Sequence, residues 1–344
     1  VAVRLWVFFV TVIGSLSALA WMAFPPALED PFALAPQIFF DLDALAVEEV
    51  AALKLDHIHR HPRYDLMVFG NSRMMPLSAQ SLGLTQDRYF NATLSGHSIR
   101  SHILLLEELE RLRKTPKVAL IGLDNAEAQY YGNPYWPALV VRWRQLARDL
   151  WAGLTRADIG WRDVLKMARR HFFNEGVVIR NRLSWDRVRR GAGIQWNQAI
   201  GRTQIYPRIQ GAGWLPDGSR ETPAVDTETK IVPIPRPNAN IVPGYLAYDF
   251  ERLAKVSART GMRVVVMELF EHPAAVAISR NLPSPEAAQT RSWVAADCAR
   301  LGFDCLLDGG LTSDGGVVWR DIDHPPQAVL APYVQDLLRR LGVI

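Results

Sequence analysis

The sequence predicts an α/β fold built on a parallel sheet with helices on both faces. Three observations point there. Short runs of strand-forming apolar residues alternate with segments of helical periodicity, an order that implies crossover connections. One run, "KVALIGLD" at 117–124, is almost wholly apolar, as a strand covered on both faces must be. Residues able to carry chemistry fall just beyond the strand ends, where open parallel sheets gather their sites. The 344 residues, 49% of them hydrophobic, suffice for a large core and fit one domain with insertions or two domains.

The elements follow in order. From Leu5 to Phe24 the chain carries no charge, and that length is what a helix needs to cross a bilayer. Arg4 precedes it, while Glu29 and Asp30 follow Pro25-Pro26, which favours an inside N-terminus. A cleaved signal peptide ending near Ala18-Leu19-Ala20 competes with this anchor. The apolar run continues through Trp21, Met22 and Phe24, which favours the anchor. Both readings place the rest of the chain outside the cytoplasm. Residues 41–56 suit a short amphipathic helix.

The strand "DLMVFG" (65–70) comes next, then a short helix near 76–82 and the strand "RYFNAT" (88–93). Over 98–114 the periodicity sets Ile99, Ile103, Leu106, Leu109 and Leu112 on one helix face, with the charges opposite. After the strand at 117–124 the pattern breaks off. It resumes with a helix at 244–260, the strand "MRVVVMEL" (262–269), a helix at 285–301, the strand "FDCLLD" (303–308) and a closing helix at 327–341.

The interruption, 126–243, differs in composition. It holds Trp136, Trp143, Trp151, Trp161, Trp185, Trp196 and Trp214, together with many arginines. Its first half reads as helical; 200–243 is rich in Gly and Pro and reads as loop. Three segments result: an anchor or uncleaved signal at 1–25, the main α/β domain from 26–125 and 244–344, and an inserted cap at 126–243. The cap is expected to emerge at the carboxyl edge of the sheet, beside Ser72 at the end of the first strand, and to line a groove with Trp and Arg, suiting an anionic glycopolymer or a membrane surface. The bland reading is that its tryptophans build its own core and its arginines a solvated face. Nucleic acid is disfavoured as a partner, because the segment is expected outside the cytoplasm. Cys298 and Cys305 can pair in an oxidising compartment or remain buried thiols.

Ser72 follows the first strand in Gly70-Asn71-Ser72-Arg73. Gly-Asn-Ser is ordinary turn chemistry, but a serine at a strand end is also where a nucleophile would stand. A serine nucleophile needs a base, usually a histidine oriented by a carboxylate. His57, His59 and His61 alternate before the first strand and are read as a solvated linker rather than metal ligands. His97 and His102 follow the second strand and His272 the fourth; His171 lies in the insertion. His324, in "DIDH" (321–324), stands between the last strand and the closing helix. Asp321, three residues earlier, can reach its Nδ1, leaving Nε2 for Ser72; Asp323 competes for that role.

These blocks together resemble the SGNH (GDSL-type) hydrolase superfamily. "FGNSR" (69–73) is similar to its nucleophile block, "NATLSG" (91–96) to its second, and "DIDH" to its Asp-x-x-His block. "IGLDN" (121–125) takes the place of the third. The resemblance implies a flavodoxin-like three-layer sandwich with a central parallel sheet, to which this chain adds the N-terminal transmembrane helix and the large insertion after the third strand read above. It implies a triad of Ser72, His324 and Asp321, and an oxyanion hole from the backbone N–H groups of Ser72 and Gly96 with the Asn125 side chain. The family's third block is Gly-x-Asn-Asp; here Asp124 precedes Asn125, a departure that bears on one oxyanion donor. No cofactor or metal is implied.

Single-anchor members resemble accessory proteins of cell-envelope polymer acylation, in which a multi-spanning membrane acyltransferase supplies the acyl group. The expected function is extracytoplasmic O-acyl transfer through an acyl-serine, at an inner membrane facing the periplasm. A simple esterase or deacetylase and a non-catalytic polymer-binding scaffold are the competing readings.

Overall fold

A computed structural model of the chain describes residues 47–94, 99–123, 139–182, 213–215, 217–221, 243–269, 285–307 and 324–344. Its frame is a five-stranded, all-parallel sheet. The strands are β1 (Leu66–Phe69), β2 (Tyr89–Asn91), β3 (Val118–Leu123), β6 (Arg263–Glu268) and β7 (Asp304–Leu306). Their spatial order is β2-β1-β3-β6-β7. Counted within the sheet alone, that is the flavodoxin-like order 2-1-3-4-5, whose switch point lies between β1 and β3. The register pairs Val68 with Asn91 on one side of β1 and Phe69 with Ile121 on the other.

Side chains alternate between two cores, because successive residues of a strand point to opposite faces. Met67, Phe69, Ala119, Ile121, Val264 and Val266 enter one core. Leu66, Val68, Val118, Leu120, Val265 and Met267 enter the other. The first face is covered by α2 (Ile99–Arg111), α5 (Pro243–Thr260) and α6 (Pro285–Leu301), with Ile58 of α1 (Val47–Arg60) packed at the same side. The second is covered by α7 (Gln327–Arg340), through Leu330, Val334 and Leu338, and by the chain at 74–82.

Among the described residues the expected elements are found within a few residues of their expected limits, with three differences. The helix expected at 76–82 is a loop ending in a 3-10 turn, Gln80–Leu82. The stretch 200–243, read as loop, contributes a small antiparallel hairpin, β4 (Gly213–Trp214) with β5 (Arg220–Glu221). The third difference is in α2, whose first turns are buried nearly all round. Besides Ile99 and Ile103, Arg100, Ser101 and His102 are buried. The cause is a second cover supplied by the insertion. Its helices α3 (Leu139–Thr155) and α4 (Trp161–Arg182) form a hairpin of helices, and Leu146, Ala152, Ile159 and Met167 join the first core.

Cys298 of α6 and Cys305 of β7 form a disulfide with a Cα–Cα distance of 6.1 Å. Among the described residues no helix is long and apolar enough to cross a membrane; the stretch Leu5–Phe24 lies outside them.

Candidate active site

β1 ends on Gly70, whose φ of +149° suits glycine rather than an L side chain. A Cβ there would stand 2.9 Å from Met74 Cγ and 3.2 Å from the Gly122 carbonyl oxygen. The absence of that atom lets the chain fold back sharply over the end of β3. Asn71 then caps a single turn: its Oδ1 accepts from the Arg73 N–H at 2.9 Å, and its carbonyl accepts from the Met74 N–H at 3.0 Å. Asn71 and Arg73 are buried on either side of Ser72, which stays partly exposed. The turn chemistry of Gly-Asn-Ser therefore presents the hydroxyl at the carboxyl end of β1, next to the switch point of the sheet.

His324 arrives from the other end of the chain, just before α7. Its Nε2 lies 2.8 Å from Ser72 Oγ. With the proton on Nδ1, Nε2 accepts from the Ser72 O–H, which is the arrangement that activates a serine. Gln327, in the first turn of α7, fixes the approach of this segment. Its Nε2 donates to the Pro76 carbonyl at 2.8 Å and to Ser78 Oγ at 2.9 Å. The segment bearing the histidine is thereby clamped to the loop bearing the serine. Gln335 adds a second clamp, donating to the Ser81 carbonyl at 2.8 Å.

Beneath the serine loop lies a buried polar support. Asn91, at the end of β2, donates from Nδ2 to the carbonyls of Met74 (3.0 Å), Met75 (3.3 Å) and Leu77 (2.8 Å). Its Oδ1 accepts from the Thr93 N–H and hydroxyl. The inserted hairpin closes the same support. Asp217 accepts from the Ala79 N–H at 2.6 Å, and the Arg220 N–H donates to the Met75 carbonyl at 2.8 Å. Gly218 comes so close to β2 that a Cβ would stand 2.5 Å from the Asn91 carbonyl oxygen. Lys54 of α1 completes it with three bonds, to the carbonyls of Asn91, Thr93 and Gly218, at 2.8 to 2.9 Å. Burial pushes the Lys54 ammonium well below its usual range, and the Asp217 carboxylate pulls it back.

Of the residues expected from sequence, the structure brings Ser72 and His324 together. Asp321, Gly96 and Asn125 lie outside the described residues, as does Asp323. The three histidines read as a solvated linker belong instead to the end of α1 and the turn after it. His57 is buried, 3.0 Å from the Tyr64 hydroxyl and stacked on His61 and Phe90. Packing against Phe90 of β2 turns this polar segment into a folded corner. Among the described residues no cluster of His, Cys, Asp or Glu could hold a metal ion. Among the described residues of the insertion, the hairpin at 213–221, which itself carries Trp214 and Arg220, bonds to the serine loop.

Sequence reasoning missed Lys54, Asp217 and Gln327. Their partners are mostly backbone groups, which every residue owns, so no side-chain pattern marks them. Asn91 stood in a recognised block but without this role. Compared with protein-family models, with curated proteins and with solved structures, the chain matches none of them. What the chain does must therefore be drawn from the site itself.

Proposed function

We propose that the chain is a serine-dependent acyl-transfer enzyme of SGNH type, acting through an acyl-serine on a cell-envelope glycopolymer. The observation that carries this reading is the 2.8 Å contact between Ser72 Oγ and His324 Nε2 at a strand end beside the switch point. Ser72 Oγ attacks an ester or thioester carbonyl while His324 Nε2 takes its proton. The proton passes to the departing alcohol or thiol, and an acyl-Ser72 ester remains. A sugar hydroxyl then attacks that ester, giving its proton to His324, and Ser72 leaves with the proton returned. Water in place of the sugar makes the same cycle a hydrolysis.

In this proposal Asp321 holds the His324 tautomer, and the N–H groups of Ser72 and Gly96 with Asn125 face the oxyanion. Residues 5–24 anchor the chain, its site faces the periplasm, and a multi-spanning membrane acyltransferase supplies the acyl group. Support for the anchor is the uncharged length of that stretch.

The test is covalent labelling of the full chain by a fluorophosphonate, together with hydrolysis of a short-chain aryl ester. The wild type should label at Ser72, and Ser72→Ala should lose labelling and about 10³-fold or more of the hydrolysis. Absence of labelling in a folded wild type would end the reading. Adding an acetylatable glycan separates transfer from hydrolysis by whether the acyl group appears on the glycan.

A further inference from the structure

The helices α3 and α4 turn an apolar face outward. On α3, Trp143, Ala147, Trp151 and Leu154 follow one another at spacings of four, four and three, which places them on one side. On α4, Trp161, Leu165 and Phe172 do the same. The opposite sides are spent on the core, through Leu146, Asp149 and Ala152 of α3 and Met167 and His171 of α4. The two outer stripes meet where the Trp143 ring packs edge-on to Phe172, with centroids 5.7 Å apart. At the turn the exposure is greatest: Trp151 is 68%, Leu154 78% and Trp161 67% exposed. Large apolar side chains grouped in this way mark an interaction surface rather than scatter.

Charge identifies the occupant. Residues 139–172 carry eight Lys and Arg against three Asp. Those acids are already engaged. Asp149 is buried against Arg100, Asp158 pairs with Arg156, and Asp163 lies 3.7 Å from Lys166. Arg144, Arg162 and Arg169 are exposed and have no acidic partner among the described residues. We infer that the outer face of α3 and α4 seats on an anionic phospholipid surface, with Trp151, Leu154, Trp161 and Leu165 among the acyl chains and Arg144, Arg162 and Arg169 at the headgroups.

Paired helices with Trp, Leu and Phe on one face and arginine beside them suit the plane of a membrane interface. Tryptophan favours that depth, because its ring is apolar and its N–H polar. A sugar polymer would use the tryptophans but gains little from Leu154 and Leu165, which offer nothing to its hydroxyls. A second copy would set cationic faces against each other. The charge-free stretch Leu5–Phe24 independently suits a chain held near a bilayer. None of this depends on what Ser72 does.

The described residues contain no free cysteine, so the full chain can carry one nitroxide at Leu154→Cys or Leu165→Cys. Asp336→Cys, on α7 at the opposite face of the sheet, serves as control. Each is placed in nanodiscs of phosphatidylcholine alone or mixed with phosphatidylglycerol, and accessibility to oxygen and to a nickel chelate is read by EPR. With phosphatidylglycerol, the labels at 154 and 165 should lose nickel accessibility severalfold and gain oxygen accessibility, while the label at 336 stays open to nickel. The triple variant Arg144→Glu, Arg162→Glu, Arg169→Glu should restore nickel accessibility at 154, with circular dichroism unchanged. Labels open to nickel in the anionic discs would overturn the inference. So would shielding that is independent of lipid charge, or that comes with spin–spin broadening, the sign of a second copy.

Discussion

The hairpin at 213–221 and the helices α3 and α4 belong to one inserted stretch, yet they grip the rest of the molecule in opposite ways. The hairpin is held by directional bonds to backbone groups: Asp217 to the Ala79 N–H, Arg220 N–H to the Met75 carbonyl, and Lys54, which bridges the Gly218 carbonyl to those of Asn91 and Thr93. The helices add charge against charge to the apolar packing of Leu146, Ala152, Ile159 and Met167. Arg100 of α2 is 1% exposed and spans Asp149 of α3 at 2.7 Å and Asp249 of α5 at 3.0 Å. Arg252 continues the chain of charges from Asp249 to Glu107, which also takes Arg148. Bonds to backbone fix the path of the main chain, and it is the main chain that aims Ser72. Ion pairs between side chains tie helix to helix and tolerate more play, at the expense of taking charges out of water. The loop whose geometry decides reactivity has the directional support; the layer that only has to stay attached has the charged one.

The comparison is easiest to break at Arg100. Arg100→Met leaves the buried Asp149 and Asp249 carboxylates facing an apolar side chain. Removing one partner of a buried ion pair typically costs about 3–5 kcal/mol, and urea denaturation should read a loss of that order. Because none of these groups touches the serine loop, the protein that remains folded should label with fluorophosphonate at the wild-type rate. A fall in labelling rate per folded molecule would mean that the two supports are not separate.

Asn91 probes the other support. Asn91→Ala strips donors from the Met74, Met75 and Leu77 carbonyls and an acceptor from Thr93, at about 1–3 kcal/mol. The larger consequence is kinetic, since a misplacement of about 1 Å can slow a reaction by 10²-fold. Labelling of Ser72 should fall by about tenfold or more in protein that is still folded. Asn91→Asp sharpens the point. It keeps the shape but turns a carboxylate oxygen toward three carbonyl oxygens, so it should be worse than alanine in both stability and labelling. If alanine were the worse of the two, filling that space rather than donating to those carbonyls would be the role of Asn91.

Arg100 also shows where sequence reading stopped. Periodicity put Ile99, Ile103, Leu106, Leu109 and Leu112 on the covered face of α2; the first four are buried, and Leu112, just past the helix end, is only half-buried. It put the charges on the open face, because one amphipathic stripe reveals one cover. The second cover comes from α3, whose Asp149 is recognisable as a partner only once the chain has folded. Ser72 and His324 were legible for the opposite reason. Ser72 stands in the turn right after β1 and His324 right before α7, and strand order brings both to one edge. The corner at His57 was misread because its burial is set by Tyr64 and Phe90, which flank the first strand rather than the helix. Lys54 sat unnoticed in an amphipathic helix, since a lysine that will be buried against carbonyls looks like any other lysine.

The smallest effect follows from the titration of the charged support. Burial pushes the Asp149 carboxyl from an ordinary 3.8 up to about 6, opposed by Arg100 and by the Gln145 amide and reinforced by Asp249. The folded protein then holds this proton more tightly than the unfolded chain does. The stability it contributes is complete below about 3.8 and is lost as pH rises through about 6. Between pH about 5 and about 7 the loss should be roughly 1 kcal/mol. Asp65, Glu107 and Asp158 have carboxyls held below their usual range by Lys and Arg partners, and act with the opposite sign in acid. The quantity to measure is therefore the difference in denaturation midpoint between wild type and Asp149→Asn across that window. Asparagine keeps an oxygen for Gln145 but sets an N–H against Arg100, so the variant is less stable at every pH. Its deficit relative to wild type should nevertheless shrink as pH rises, because only the wild type loses the protonated form. Asn91→Ala, lying in the uncharged part of the other support, should run parallel to the wild type throughout. A deficit of Asp149→Asn that stays constant with pH would mean that Asp149 is ionised throughout the window and that Arg100 outweighs its burial.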